Sequence, residues 1–433
     1  DYPDNPYITQ LIEERLLLDS LITLAAANNA APVIRIPLSN NSIFSQIRNL
    51  ADVDRDKGRK VNAMMHRLKN LIAPYLDQWL EYIDSSPSSA IKFVSNLPIE
   101  WTFHQGIPLI VRHEVSRIPV TPGYVAARLL LDSNNINLSI DDFKQILFIS
   151  SFAENDPIRN HLKDSIKIIQ SIGPSDKEIE DKIEKLKKQN LLPKDFKITE
   201  KTDRLNIHIK WLDVANKKEL INAINDNPCA ITIFDLHGSH GENGGLIHLK
   251  DEEISVFDIY QEIHISPIVI LSSCDTSPID KGHYSTAEAF FLAGAKTLVS
   301  SALPIQSKLA STFLARLIER IRTYLPERVN CEGPIRWSTF VSGMIRRTYY
   351  YELVSLLQKE LKFGNGTKHD LLLSIGMHID PLSPNWVQTT KEEILTQLNI
   401  TADYLDNFVA RNVQFLECMK YLQLGRPESI IIS

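Results

Sequence analysis

Cysteine is scarce: four residues in 433, none of them in a C-x-x-C pair. That excludes a disulfide framework and a cysteine-based zinc site, and it points to a reducing compartment, so the expected location is cytoplasmic. No apolar run reaches the about 20 residues that cross a bilayer. The opening Asp1-Tyr2-Pro3-Asp4 carries no basic segment followed by an apolar stretch, so no signal peptide is expected. Excess charge of one sign is missing too. Lys and Arg number 47 against 53 Asp and Glu, a net −6, which excludes a broad electrostatic grip on nucleic acid or anionic lipid. Small molecules and proteins remain as partners. What is present is an ordinary globular balance, 43 % hydrophobic and 23 % charged, in a chain long enough for two to three domains at roughly 150 residues each. Neither an internal repeat nor a low-complexity tract is visible.

The chain changes rhythm along its length. Up to about residue 90 it reads as helix: Leu17, Leu21 and Leu24 fall on one apolar stripe, and Met65, Leu68, Ile72 and Leu76 on another between residues 60 and 83. Ser85-Ser86-Pro87-Ser88-Ser89 reads as a joint. Beyond it come short apolar runs at 107–111, 145–149, 205–209, 231–234, 268–271 and 297–300. Helical patterns lie between them at 158–172, 217–224 and 287–292. Such alternation, with β-branched strands, predicts a mainly parallel sheet sandwiched by helices. The charged run 176–189 reads as a solvated helix with i,i+4 ion pairs. Helix dominates again after about residue 307, broken at 330–334 and 364–366, and 391–424 reads as a terminal helical pair.

Two strand ends can carry chemistry. One runs Ile233-Phe234-Asp235-Leu236-His237-Gly238-Ser239-His240-Gly241, then Glu242-Asn243-Gly244-Gly245; the other runs Ile270-Leu271-Ser272-Ser273-Cys274-Asp275. Glycine allows close backbone approach and sharp turns, and ligands of parallel α/β sheets bind at the carboxyl ends of strands. A thiol and an imidazole at two such ends would form a nucleophilic dyad. The backbone N–H groups of Gly241 and Cys274 would supply the oxyanion hole. Rival readings remain. A cysteine ending a strand is more often a small buried hydrophobe, and His237 is more often structural. His237, His240 and His248 could imitate a metal site, but strand placement and the lack of further ligands weigh against one, so no metal or cofactor is expected. Gly238-Ser239-His240-Gly241 lacks the Lys and spacing of a phosphate loop. Cys229, Cys331 and Cys418 read as packing residues.

These motifs, followed by Ala287-Glu288-Ala289-Phe290-Phe291-Leu292-Ala293-Gly294-Ala295-Lys296-Thr297 and preceded by Leu97-Pro98-Ile99-Glu100-Trp101 and Val115-Ser116-Arg117-Ile118-Pro119, resemble the CHAT domain. CHAT domains are caspase-like, separase-related cysteine peptidases of clan CD. The resemblance covers roughly 95–350, leaving mostly helical regions at 1–94 and 351–433, so the fold it implies is a caspase-like α/β core with helical extensions at both ends. It implies His240 as the catalytic histidine and Cys274 as the nucleophile. The Gln-Ala-Cys-x-Gly of true caspases is missing, and the His240-to-Cys274 separation is shorter than the roughly 50 residues expected there. Tetratricopeptide repeats, a frequent companion, are not recognisable.

The resemblance implies a cysteine endopeptidase that cleaves a specific protein or peptide partner through a thioester, in bacterial defence or cell-death signalling. The alternative is a catalytically silent caspase-like scaffold. No third residue orienting His240 stands out. Asp275, Glu242, Asn243 and Ser272 are the candidate substrate-binding residues. Many clan relatives that cut after Arg or Lys carry Asp two residues before the cysteine, where this chain has Ser272, so the resemblance does not imply a basic preference at P1. The helical extensions are candidate docking sites for a regulatory protein; direct nucleic-acid or membrane binding is not expected.

Overall fold

The computed structural model describes residues 6–36, 41–51, 58–85, 90–120, 122–171, 184, 187–188, 204–241, 244–273, 284–413 and 415–433. At its centre is a ten-stranded sheet. Its strands are β1 (Ala90–Val94), β2 (Glu114–Ile118), β3 (Gln145–Ser151), β4 (His208–Asp213), β5 (Ile231–Gly241), β6 (Gly244–His248), β7 (Glu253–Ile254), β8 (Ile268–Ser272), β9 (Thr297–Ser301) and β10 (Tyr421–Gly425). The order is β1-β2-β10-β9-β8-β5-β3-β4, with β6 and β7 attached through β5.

Helices precede, separate and follow these strands. Ahead of β1 lie α1 (Pro6–Asn28), α2 (Asn41–Ala51) and α3 (Gly58–Ser85). Between β2 and β9 lie α4 (Gly123–Leu131), α5 (His161–Ser171), α6 (Lys217–Asn225) and α7 (Thr286–Leu292). After β9 come α8 (Ser307–Glu332), α9 (Trp337–Leu361), α10 (Asn365–His378), α11 (Trp386–Leu398) and α12 (Ala402–Asn412).

The fold is α/β with a mainly parallel sheet. Ile146, Leu147, Phe148 and Ile149 of β3 are each 0 % exposed, as a strand covered on both faces requires. β4, β3, β5, β8 and β9 run parallel to one another. β10 turns antiparallel to β9, and β2 and β1 then run parallel to β10. Two parallel blocks therefore meet back to back, their carboxyl ends on opposite edges. Gly425 is required where β10 ends: its φ is +80°, and a Cβ there would lie 2.5 Å from Phe291 Cε1 and 2.6 Å from the Lys296 carbonyl oxygen. That conformation and that space admit only glycine.

The sequence reading needs several corrections. β1 and β10 bring residues 90–94 and 421–425 into the same sheet, although both lie in the regions expected to be helical extensions. The expected terminal pair is α11 and α12, after which Tyr421-Leu422-Gln423-Leu424-Gly425 is a strand; a five-residue apolar run gives periodicity nothing to separate strand from helix. The run 107–111 divides into a strand Ile107–Pro108 and a helical turn Leu109–Arg112, since Pro108 has no N–H to extend a ladder. The strand expected at 205–209 is β4 at His208–Asp213, because the Leu205 N–H is taken by the Arg322 carbonyl at 2.9 Å. The joint at 86–89 and most of the charged run 176–189 lie outside the described residues. Within that run, Lys188 Nζ stands 3.5 Å from Glu184, an i,i+4 pair as expected.

Side-chain contacts tie the smaller block together. Trp101 Nε1 donates to the Met419 carbonyl at 2.6 Å, and the buried Arg117 pairs with the buried Glu100. No helix among the described residues is long and apolar enough to cross a membrane.

Candidate active site

The carboxyl edge of the larger block is where the motifs meet. β5 does not stop where its apolar run stops. Up to Leu236 it pairs with β3, and up to Asp235 with β8, where Ser272 stands opposite. Past that point both neighbours end and β5 continues as one arm of a hairpin with β6, pairing His237 with His248, His240 with Gly245 and Gly241 with Gly244. The histidine motif is thus a β-hairpin standing on the sheet edge.

Side-chain alternation along a strand separates the two histidines of the motif onto opposite faces. His237 shares a face with Asp235 and Ser239. Its Nε2 lies 2.7 Å from Asp156 Oδ2, and its ring meets Phe152 edge-on at 5.2 Å. Burial raises the Asp156 carboxyl, but the Ile158 N–H and His237 more than offset it and hold that group below its ordinary value. His248, across the hairpin, has Nε2 2.7 Å from Ser239 Oγ and Nδ1 3.2 Å from Glu253. His237 and His248 are therefore tied into the scaffold. His240 lies on the other face, half-buried, opposite a glycine. The three histidines share no ligand set, and no group of three His, Cys, Asp or Glu among the described residues could hold a metal ion.

The glycines after the turn have a different use from the expected approach of a ligand. Gly244 has φ +118°, and a Cβ there would lie 2.6 Å from the Tyr284 carbonyl oxygen. At Gly245 a Cβ would lie 2.4 Å from the Thr286 nitrogen and 2.5 Å from its Oγ1, while the Gly245 N–H donates to the Tyr284 carbonyl at 2.7 Å. The hairpin is held by the chain entering α7. That entry is fixed by a capping box in which Ser285 and Glu288 satisfy each other's backbone N–H groups. At Gly241 a Cβ would meet only Leu246 Cδ1, at 3.7 Å, so a small side chain would fit there.

On β8, Ser272 is half-buried and its hydroxyl hydrogen-bonds the Asp235 carboxyl. Ser301 Oγ donates to the Ser273 carbonyl at 3.3 Å. The strand leading toward Cys274 is thus held from both sides. Cys274, Asp275, Glu242 and Asn243 lie outside the described residues.

Asp235, Asp156 and Tyr284 were not singled out from sequence. The available signal for Asp235 was a carboxylate closing an otherwise apolar strand; nothing local marked the other two. Burial pushes Asp235 from 3.8 up to about 7, against the opposing Ser272 hydrogen bond and with the help of nearby Asp156. The native chain therefore keeps this proton up to about pH 7, whereas an unfolded chain releases it near 3.9. Between those values the native state binds more protons, so the stability this group contributes is present at low pH and is lost as pH rises toward 7. Asp235→Asn should remove that slope: urea midpoints of wild type relative to the variant should fall between about pH 4.5 and pH 7, and a parallel pair of curves would refute it.

No curated protein is similar enough to match the chain. The family model of the CHAT domain matches residues 169–329. That span takes in the hairpin, β8 and its tip, α7, β9 and nearly all of α8. The chain thus carries, in residues 169–329, a CHAT domain, a domain of the caspase-like family.

Proposed function

We propose that this protein is a cysteine endopeptidase whose nucleophile is Cys274 and whose acid–base group is His240. The observation that carries the reading is the register of two parallel neighbours: Ser272 on β8 stands opposite Asp235 on β5, so the chain leaves for Cys274 and for His240 from adjacent points on one carboxyl edge. That edge is where α/β sheets bind their ligands, and both residues fall within the CHAT span.

In the proposed reaction Cys274 Sγ attacks the carbonyl carbon of the scissile peptide and its proton passes to His240. The amides of Gly241 and Cys274 hold the oxyanion as negative charge develops. Collapse of the tetrahedral species breaks the C–N bond, His240 protonates the departing amine, and water hydrolyses the thioester. Asp275, Glu242 and Asn243 are assigned to the substrate cleft. Ser272 is assigned to the cleft with them, its hydroxyl held by the hydrogen bond with Asp235. The substrate class is a protein or peptide, and the proposed setting is proteolysis in defence or cell-death signalling.

A peptide library with and without prior iodoacetamide treatment tests this. The expected result is cleavage of a restricted subset, lost as Cys274 is alkylated, with Cys274 reacting faster than the exposed Cys331. Failure to cleave any library member, with Cys274 labelled no faster than Cys331, would reject the enzyme in favour of a scaffold.

A further inference from the structure

Anchoring the hairpin does not account for Tyr284. That task needs only its carbonyl, which accepts from the Gly245 N–H at 2.7 Å. The backbone at Tyr284 is left-handed, with φ +56°, a conformation that glycine or asparagine adopts at less cost than a residue with a bulky ring. The side chain is also 42 % exposed. Residues other than glycine held in such backbone conformations gather at active sites and ligand clamps.

The ring stands at the hairpin tip and has aromatic company. Tyr284 Cβ lies 2.8 Å from the place a Cβ on Gly244 would take, and Gly244 pairs with Gly241, whose amide the peptidase reading gives to the oxyanion. Phe257, in the turn Val256–Asp258, meets the Tyr284 ring edge-on with centroids 5.5 Å apart. Tyr124, at the start of α4, is 52 % exposed. Its hydroxyl is raised above its ordinary value by partial burial and then by Tyr284, Glu288 and Tyr260, which places it in the same group. Three tyrosines and a phenylalanine thus gather beside the candidate active site, two of the tyrosines open to solvent.

We propose, on the peptidase reading of this edge, that the aromatic group is a specificity subsite that takes an aromatic side chain of the peptide substrate, with Tyr284 as the selecting residue. Tyr284 bonds to the outer side of β6, so it stands two strand spacings, about 10 Å, from β5 and His240. An extended peptide rises about 3.3 Å per residue, which puts the selected side chain about three residues from the scissile bond. Rings pack edge-to-face or offset against one another, and Tyr284 already meets Phe257 in that way while its exposed part stays available. Continuity with the hairpin tip favours a peptide segment over a second copy of the chain as the occupant.

A displayed random-peptide library tests this twice, by cleavage with the wild type and by capture on Cys274→Ala, which needs no turnover. Both selections should be enriched in Phe, Tyr or Trp at one position. For a fluorescent peptide of the selected sequence, Tyr284→Asn should lower kcat/KM, and affinity in the Cys274→Ala background, by about tenfold or more. A peptide with Ala at that position should lose nothing further. Tyr284→Phe should keep both values, and Tyr404→Asn, at an exposed tyrosine of α12, should behave as wild type; urea denaturation checks that each variant is folded. Cleavage without an aromatic preference, or with one that Tyr284→Asn leaves intact, would overturn the subsite and keep the peptidase. Capture of aromatic peptides that Tyr284→Asn abolishes, with nothing cleaved by the wild type, would keep the subsite and reject the peptidase. Neither capture nor cleavage would reject both. A dimer in sedimentation that Tyr284→Asn dissociates would make the patch a contact between copies and overturn the proposal.

Discussion

Replacing His240 by alanine should lower peptide cleavage by about a thousandfold, within the range expected when a general acid–base group is removed, with little change in the urea midpoint. Cys274→Ala should reduce cleavage to background. The structural reason lies in how the three histidines of the hairpin are disposed. His237 leans on Asp156 and Phe152, and His248 on Ser239 and Glu253. Those contacts support the scaffold. His240 projects from the opposite face, across from Gly245, where no cross-strand side chain competes for its place. His237→Ala should therefore lose some stability and keep most of its activity. Measuring kcat/KM and the denaturation midpoint for both variants separates the two roles. A His240→Ala enzyme that cleaves normally, or a His237→Ala enzyme as inactive as it, would move the acid–base role elsewhere.

The second large effect concerns Gly245. A methyl group there would meet the Thr286 nitrogen at 2.4 Å and its Oγ1 at 2.5 Å, and backbone atoms at the start of a capped helix cannot yield as a flexible side chain can. Gly245→Ala should cost about 3 kcal/mol, the upper end of overpacking penalties. It should also depress activity, because lifting the hairpin off α7 displaces His240, the residue directly opposite. Gly241→Ala is the control. Space at that position is open, and alanine keeps the backbone N–H proposed to hold the oxyanion, so both stability and kcat/KM should stay close to wild type. Urea denaturation with parallel kinetics reads both, and a Gly245→Ala protein as stable as Gly241→Ala would show that the hairpin is not anchored through this contact.

Local patterning reached far along the chain. The β-branched runs at 145–149, 268–271 and 297–300 became β3, β8 and β9, and 217–224 and 287–292 became helices within a residue of their expected ends. Both strand ends bearing the chemical motif were legible because a buried parallel strand is a continuous apolar run, and polar residues closing one stand out. What escaped was anything resting on a partner distant in sequence. A strand such as β10 is apolar whichever neighbour it takes, and only closure of the sheet shows that it lies between β9 and β2. The glycines of the hairpin could be read as turn formers, but their exclusion of any side chain comes from Tyr284 and Thr286, some forty positions later.

By itself, then, the sequence determined the alternation of strands and helices, the identity of the sheet edge that carries the histidine motif, and the placement of Ser272 just before the cysteine, since each follows from which side chains must leave water. Tertiary structure alone decided that Asp235 faces Ser272 and keeps its proton near neutrality, and that His237 and His240 diverge. Burial, field and register are properties of neighbours in space, and the spacing of residues along one segment carries no record of them.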